Sequence, residues 1–201
     1  RASRSTAYLR ETARVVGHAP GERSFHVLYQ MCAGASKGER AELCLLSPPS
    51  SHRYLGESAS CPVDGVDDIA GWKATCQAMA DFKLDAAAVH FVKRTLAGIL
   101  AVGDLAFEAV AHEQQDDGSR VAPAVAARLE AAAKLLGVEG AALERALTVR
   151  SVGQFPVVQV PQSPDKAEAA RDALAKAAYG GLFDYILSRI NMQMMSGAAG
   201  G

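Results

Sequence analysis

Residues 85–103 read DAAAVHFVKRTLAGILAVG. Val89, Val92, Leu96, Ile99 and Leu100 recur at the three- and four-residue spacing of one helix face, and Gly103 closes the pattern. The stretch predicts the strongest helix of the chain, over Asp85–Val102. It is also the most apolar stretch, but His90, Lys93 and Arg94 interrupt it, so no window is expected to reach the run of ~18 apolar residues that a membrane span needs. A helix of this kind needs partners to cover its apolar face, and the flanking sequence supplies them.

On the N-terminal side, Asp64-Gly65-Val66-Asp67 predicts a helix start, with acids at its positive end, running to about Ala80. Earlier, Glu22–Ala33 follows a turn at Ala19-Pro20-Gly21 and carries Phe25, Leu28 and Cys32 at helical spacing, with Gly34 as the expected C-cap. Ser47–Ser51 holds two prolines and reads as a loop, and residues 5–9 read as the end of a strand. On the C-terminal side, Glu113–Arg120 reads as a polar, mostly acidic loop. Pro123 opens a helix carrying Val125, Leu129, Leu135 and Leu136 as far as Gly137, and Ala141–Leu147 is a short helix. Residues 149–160 change character: five valines surround Gly153 and Pro156, which reads as a β-hairpin-like excursion. Ser163-Pro164-Asp165 then starts a helix that could reach about 194, with Gly180-Gly181 leaving a kink or break open. Ser196–Gly201 reads as a flexible tail. The fold class expected is mainly α: a bundle-like helical unit over 1–195 with a short N-terminal strand and the hairpin.

Composition agrees. Of 201 residues, 49% are hydrophobic, 21% charged and only 6% aromatic, with abundant Ala, which favours a globular helical protein over a sheet or a disordered chain. A formal charge of -1 supplies no positive field for nucleic acid or an anionic membrane. Cys32, Cys44, Cys61 and Cys76 form no close pair, so buried reduced thiols and a cytoplasmic setting are expected rather than zinc or disulfides. The chain begins at Arg1 rather than Met, which suggests processing or an excerpt.

Catalytic motifs fail on context. Gly34-Ala35-Ser36-Lys37-Gly38 fits G-x-S-x-G, but a helical pattern precedes it where a nucleophile elbow needs a strand, so a helix cap and loop is the reading. His112-Glu113 begins like a zincin motif, yet Asp116 stands where the second His belongs. His26, His52 and His90 form no visible cluster with Cys or carboxylates. Asp67-Asp68 and Asp116-Asp117 read as solvated charges, because adjacent helical residues do not face each other. There is no Gly-Lys dipeptide, hence no phosphate-cradling P-loop. Neither a catalytic residue nor a metal or cofactor ligand is assigned.

Three segments carry a resemblance. YLRETARVV (8–16) with GERSFHVLYQ (21–30) resembles the myosin motor-head stretch YLLEKSRVV…GERNFHIFYQ. ARDALAK (170–176), YGGLFDY (179–185) and Arg189-Ile190-Asn191 resemble the head's ARDALAK…Y-G-x-LF-x-W…RIN helix. ILAVGDLAF (99–107) resembles ILHLGNIxF, with Ala101 and Asp104 as departures. Over nearly the whole chain, this resemblance implies the upper fifty-kilodalton subdomain of an actin-based, ATP-driven motor (1–195), lying between switch I and switch II. The P-loop and both switches would lie outside it. ATP and Mg would then belong to the parent head, light chains to a neck, and the parent would be an actin-activated ATPase. Residues 109–120 match a loop that can brush actin, but Glu113, Asp116 and Asp117 against Arg120 suit a solvated loop better. Residues 149–160 match the family's cardiomyopathy loop, which docks on actin. The implied actin-binding residues are Arg150, Ser151, Val152, Gly153, Gln154, Phe155, Pro156, Val157 and Val158. Sixteen residues before Asp172, where many members carry an acid or a phosphorylatable hydroxyl, this chain has Pro156 among uncharged neighbours. A hydrophobic rather than charge-led contact is expected there. The alternative is a stand-alone helical interaction domain without a motor.

Overall fold

The computed structural model describes residues 11–19, 22–56, 58, 63, 65–112 and 115–198. The strand expected at 5–9, Pro20-Gly21, Asp64 and Cys61 lie outside the described residues. Among those described, seven α-helices and two antiparallel hairpins follow in the order α1 (His26–Gly34), α2 (Lys37–Glu42), α3 (Asp68–Asp81), α4 (Ala86–Gly103), β1 (Phe107–His112), β2 (Gln115–Val121), α5 (Ala126–Leu136), α6 (Gly140–Thr148), β3 (Val149–Val152), β4 (Val158–Pro161) and α7 (Pro164–Ala198). Short 3-10 turns at Thr12–Val15, Pro49–Ser51 and Pro123–Val125 join them.

α4 is the axis of the core. Asp85 caps it by accepting the N–H of Ala88 at 2.7 Å. Its first half shows the amphipathic stripe, but from Leu96 to Gly103 every residue is buried. A helix apolar all round has to be covered on all sides. Here α5 and α7 pack along it and α1 touches it, while α1 packs mainly on α3. By length and mean hydropathy, 1.3 over 18 residues, α4 would suffice to cross a membrane, contrary to the expectation that no window comes near; 56% of that window is buried inside the fold. Burying each of Leu96, Ile99 and Leu100 contributes about 1.5–3 kcal/mol.

Two glycines end their helices as expected and are close-approach positions as well. Gly34 is the last residue of α1, and a Cβ there would sit 2.5 Å from Cβ of Trp72. Gly103 is the last residue of α4, and a Cβ there would lie 2.5 Å from the Tyr54 ring, which is itself buried. Gly103→Val is therefore expected to destabilise the fold by about 1–3 kcal/mol through overpacking, readable as a lower urea midpoint. Gly137, by contrast, is a left-handed C-cap (φ 74°) as its position after α5 predicts.

The acidic segment expected as a loop is a hairpin. β1 and β2 pair in antiparallel register from Phe107↔Val121 to Val110↔Gly118, with an irregularity before His112↔Gln115. Its composition hid it, because polar and acidic residues are poor in strands; the pairing is anchored by Val121, buried, whose N–H donates to Glu144 of α6 at 2.8 Å. Likewise Gly180-Gly181 does not break α7, which runs unbroken for 35 residues into the stretch read as a tail.

Ser36 is a capping residue. Its Oγ accepts the N–H of Glu39 at 3.3 Å, and Glu39 accepts the N–H of Ser36 at 2.9 Å, a reciprocal capping box starting α2. Lys93 donates to the other Glu39 oxygen at 2.6 Å. The Lys93 bond first, and the Ser36 N–H second, hold the Glu39 carboxyl down at about 2. A carboxylate depressed when folded contributes stability above its unfolded pKa, about 4.3, and loses it as pH falls towards 2. Glu39→Gln is expected to flatten the pH–stability curve between about pH 4.5 and 2 and leave the slope above it unchanged, as pH-dependent urea unfolding would show.

Candidate functional site

The 149–160 segment forms the hairpin expected of it. α6 ends at Thr148 and the chain passes directly into β3, so the hairpin grows from a buried helix end. Its base is closed twice: the N–H of Gln162 donates to the Thr148 carbonyl at 2.8 Å, and Nε2 of Gln162 donates to the Leu147 carbonyl at 3.1 Å. The register pairs Val149↔Pro161, Arg150↔Val160, Ser151↔Gln159 and Val152↔Val158. Directly opposed residues share a face, and the faces alternate along the strand. Arg150, Val152, Val158 and Val160 therefore line one face. Ser151 and Gln159 lie on the other, joined by a side-chain hydrogen bond of 3.0 Å.

The connection between the strands is Gly153–Val157. Gly153 has φ +86°, and a Cβ there would lie 2.8 Å from the Pro156 carbonyl oxygen, so the turn is built on glycine. The turn holds up an apolar tip. Phe155 is 102% exposed, Val157 55% and Val158 49%. Arg150 is also exposed and is the only charged residue between 149 and 160. All the residues named from the sequence thus come together on one projecting element, which combines a bare apolar end with one cation at its base. Phe155, Val157 and Val158 make this tip the candidate contact surface.

A polar network that separate residues did not reveal lies at the end of α4. Asp104, its side chain 6% exposed, accepts from Nδ1 of His52 at 2.9 Å, from the N–H of Arg53 at 3.0 Å and from Arg128 at 2.8 Å. The Leu46 N–H donates to Nε2 of His52 at 3.0 Å, which leaves the proton on Nδ1. Arg171, 1% exposed, donates to the Leu105 carbonyl at 2.8 Å and to Asp172 at 2.9 Å, and Tyr54 donates to Asp172 at 2.7 Å. Burial, then the Asp172 bond, pushes the Tyr54 hydroxyl well above its ordinary range. The departure at Asp104 is thus matched by three donors. His52 is the satisfied core histidine its lone position suggests, although a carboxylate does join it. Asp68 corrects the sequence reading: rather than being solvated, it pairs with Arg23 at 2.6 Å, with side chains 24% and 9% exposed. This network ties the end of α4, the 52–54 turn, α5 and α7 into one body. Burial pushes the Cys32 thiol up to about 12, and Cys32, Cys44 and Cys76 are free. Among the described residues no group of three or more His, Cys, Asp or Glu side chains could hold a metal ion.

The fold is a helical unit that carries an apolar-tipped hairpin. The myosin head (motor domain) family model matches residues 1–199, and the chain belongs to that family. Over 197 residues it is 39% identical to the myosin IA heavy chain of Dictyostelium discoideum, covering 94% of this chain and 19% of that protein. Over 190 residues it is 38% identical to myosin heavy chain IB of Acanthamoeba castellanii, covering 94% and 15%. Myosin-1 of Neurospora crassa is 37% identical over 191 residues, again 94% and 15%. The chain spans less than a fifth of the length of these curated relatives.

Proposed function

We propose that this chain is the upper fifty-kilodalton part of an actin-based, ATP-driven motor head, and that its 149–160 hairpin docks on the actin filament. The segment supplies partner surface and a helical scaffold; ATP and Mg bind elsewhere in the parent head, light chains bind a neck, and the motor works in the cytoplasm on the cytoskeleton. The observation that carries this reading is the hairpin itself, with Phe155, Val157 and Val158 held in solvent by a closed base. The docking is led by apolar contact. Arg150 adds one attraction to an acidic surface, which affects the rate of encounter more than the final affinity. With Pro156 at the position otherwise acidic or phosphorylated in the family, phosphorylation at that point does not switch the contact.

Actin cosedimentation of the intact head tests this with two variants. Val158→Ala is expected to weaken binding about 3- to 10-fold, as loss of one central apolar contact does. Arg150→Glu is expected to weaken it less at physiological salt, and the gap from the parent to narrow as salt rises. Unchanged affinity in both variants contradicts the proposal.

A further inference from the structure

We propose that the cavity between α1, α3, α4 and the distal half of α7 is a binding site for a small neutral aromatic molecule of the alkylbenzene class. The cavity has a volume of about 220 Å³ and is open to solvent on one side. Its walls include Met79, Phe82, Leu96, Tyr179, Leu182 and Ile186, and apart from Thr75 every lining residue is apolar or aromatic. The Thr75 hydroxyl is already engaged with Oε1 of Gln30 at 3.2 Å. No charged group lines the cavity, so a charged or strongly polar ligand would lose its hydration without return.

Size and wall chemistry select the class. An apolar cavity of about 150 Å³ takes benzene, so this one has room for a ring with a short alkyl substituent. Aromatic walls favour an aromatic guest by edge and offset stacking, and the Met79 thioether adds a sulfur–ring contact. The site is also built in advance. Phe25 stacks on Tyr179, with centroids 4.3 Å apart and planes at 14°, which fixes that wall. At the rim, Phe82 and Phe183 are 37% and 40% exposed, so the cavity reaches solvent between the end of α3 and α7. A guest would be held against both, bracing the distal half of α7 on the α3–α4 pair. This site is separate from the 149–160 hairpin, and its occupancy does not depend on actin.

The test uses the intact head carrying this chain, with 4-fluorotoluene followed by 19F NMR. Saturable binding with a Kd on the order of 100 µM to 1 mM is expected. Ala78→Phe places a ring at the cavity wall from an exposed helical position and is expected to weaken binding at least 10-fold. Crystals of the unmutated head soaked in 4-bromotoluene should show the bromine anomalous peak inside the cavity, which keeps the test decisive if Ala78→Phe does not fold. Non-saturable binding overturns the proposal. So does affinity unchanged by Ala78→Phe, bromine located only elsewhere, or a side chain from another part of the head already seated in the cavity.

Discussion

Arg171→Met should destabilise the fold by about 3–5 kcal/mol, the cost of removing one partner from a buried ion pair. The guanidinium is 1% exposed and joins two elements, donating to the Leu105 carbonyl just beyond α4 and to Asp172 on α7. Methionine fills much of the same volume but donates to neither. The Leu105 carbonyl would then lose a buried donor, and among the described residues Asp172 would keep the Tyr54 hydroxyl. Asp172 retains 30% of its side chain in solvent, which moderates its share and places the expected value towards the lower end of the range. Tyr54→Phe removes a single hydrogen bond and should cost only about 1 kcal/mol. Equilibrium urea unfolding of the head measures both. A loss under 1 kcal/mol for Arg171→Met would show that α7 is held by its apolar face alone.

The elements legible in the sequence were those in which a side-chain period and an end signal agreed. α4 and α5 are of this kind, with apolar spacing, an acid or proline at the start and for α5 a left-handed glycine at the end, while α3 was legible from its acidic start. The 149–160 hairpin was legible for the opposite reason, since five β-branched valines around Gly153 and Pro156 have no helical period. What stayed hidden depended on partners distant in sequence. β2 has a polar, acidic composition and shows no strand signal without β1 opposite it. Gly34 and Gly103 end their helices, but the close approach of Trp72 and Tyr54 that requires glycine there shows only in the fold. Gly180-Gly181 looks like a break until the helix is seen to continue through it. The Asp104 hub joins residues 24 to 52 positions away, which no local pattern reports. The position of the candidate docking element was therefore readable from sequence, whereas the face shared by Arg150, Val152, Val158 and Val160 required the register.

Replacing the whole apolar tip should have the largest effect on the partner contact. Phe155→Ser, Val157→Ser and Val158→Ser together keep Gly153 and the strand pairing below the turn, so the hairpin should remain formed. They remove the three side chains that carry most of the tip's exposed apolar area. Interface energy concentrates in a few such anchors, and losing all three is expected to weaken actin binding at least 30-fold. Because the contact is led by apolar burial, the parent's affinity should fall only shallowly with added salt, well short of the behaviour of a charge-led contact.

The most direct measurement is actin cosedimentation of the intact head and its triple-serine variant, each at low and physiological salt. A loss of 30-fold or more is expected for the variant, similar at both salt concentrations. Equal affinity of parent and variant would contradict it.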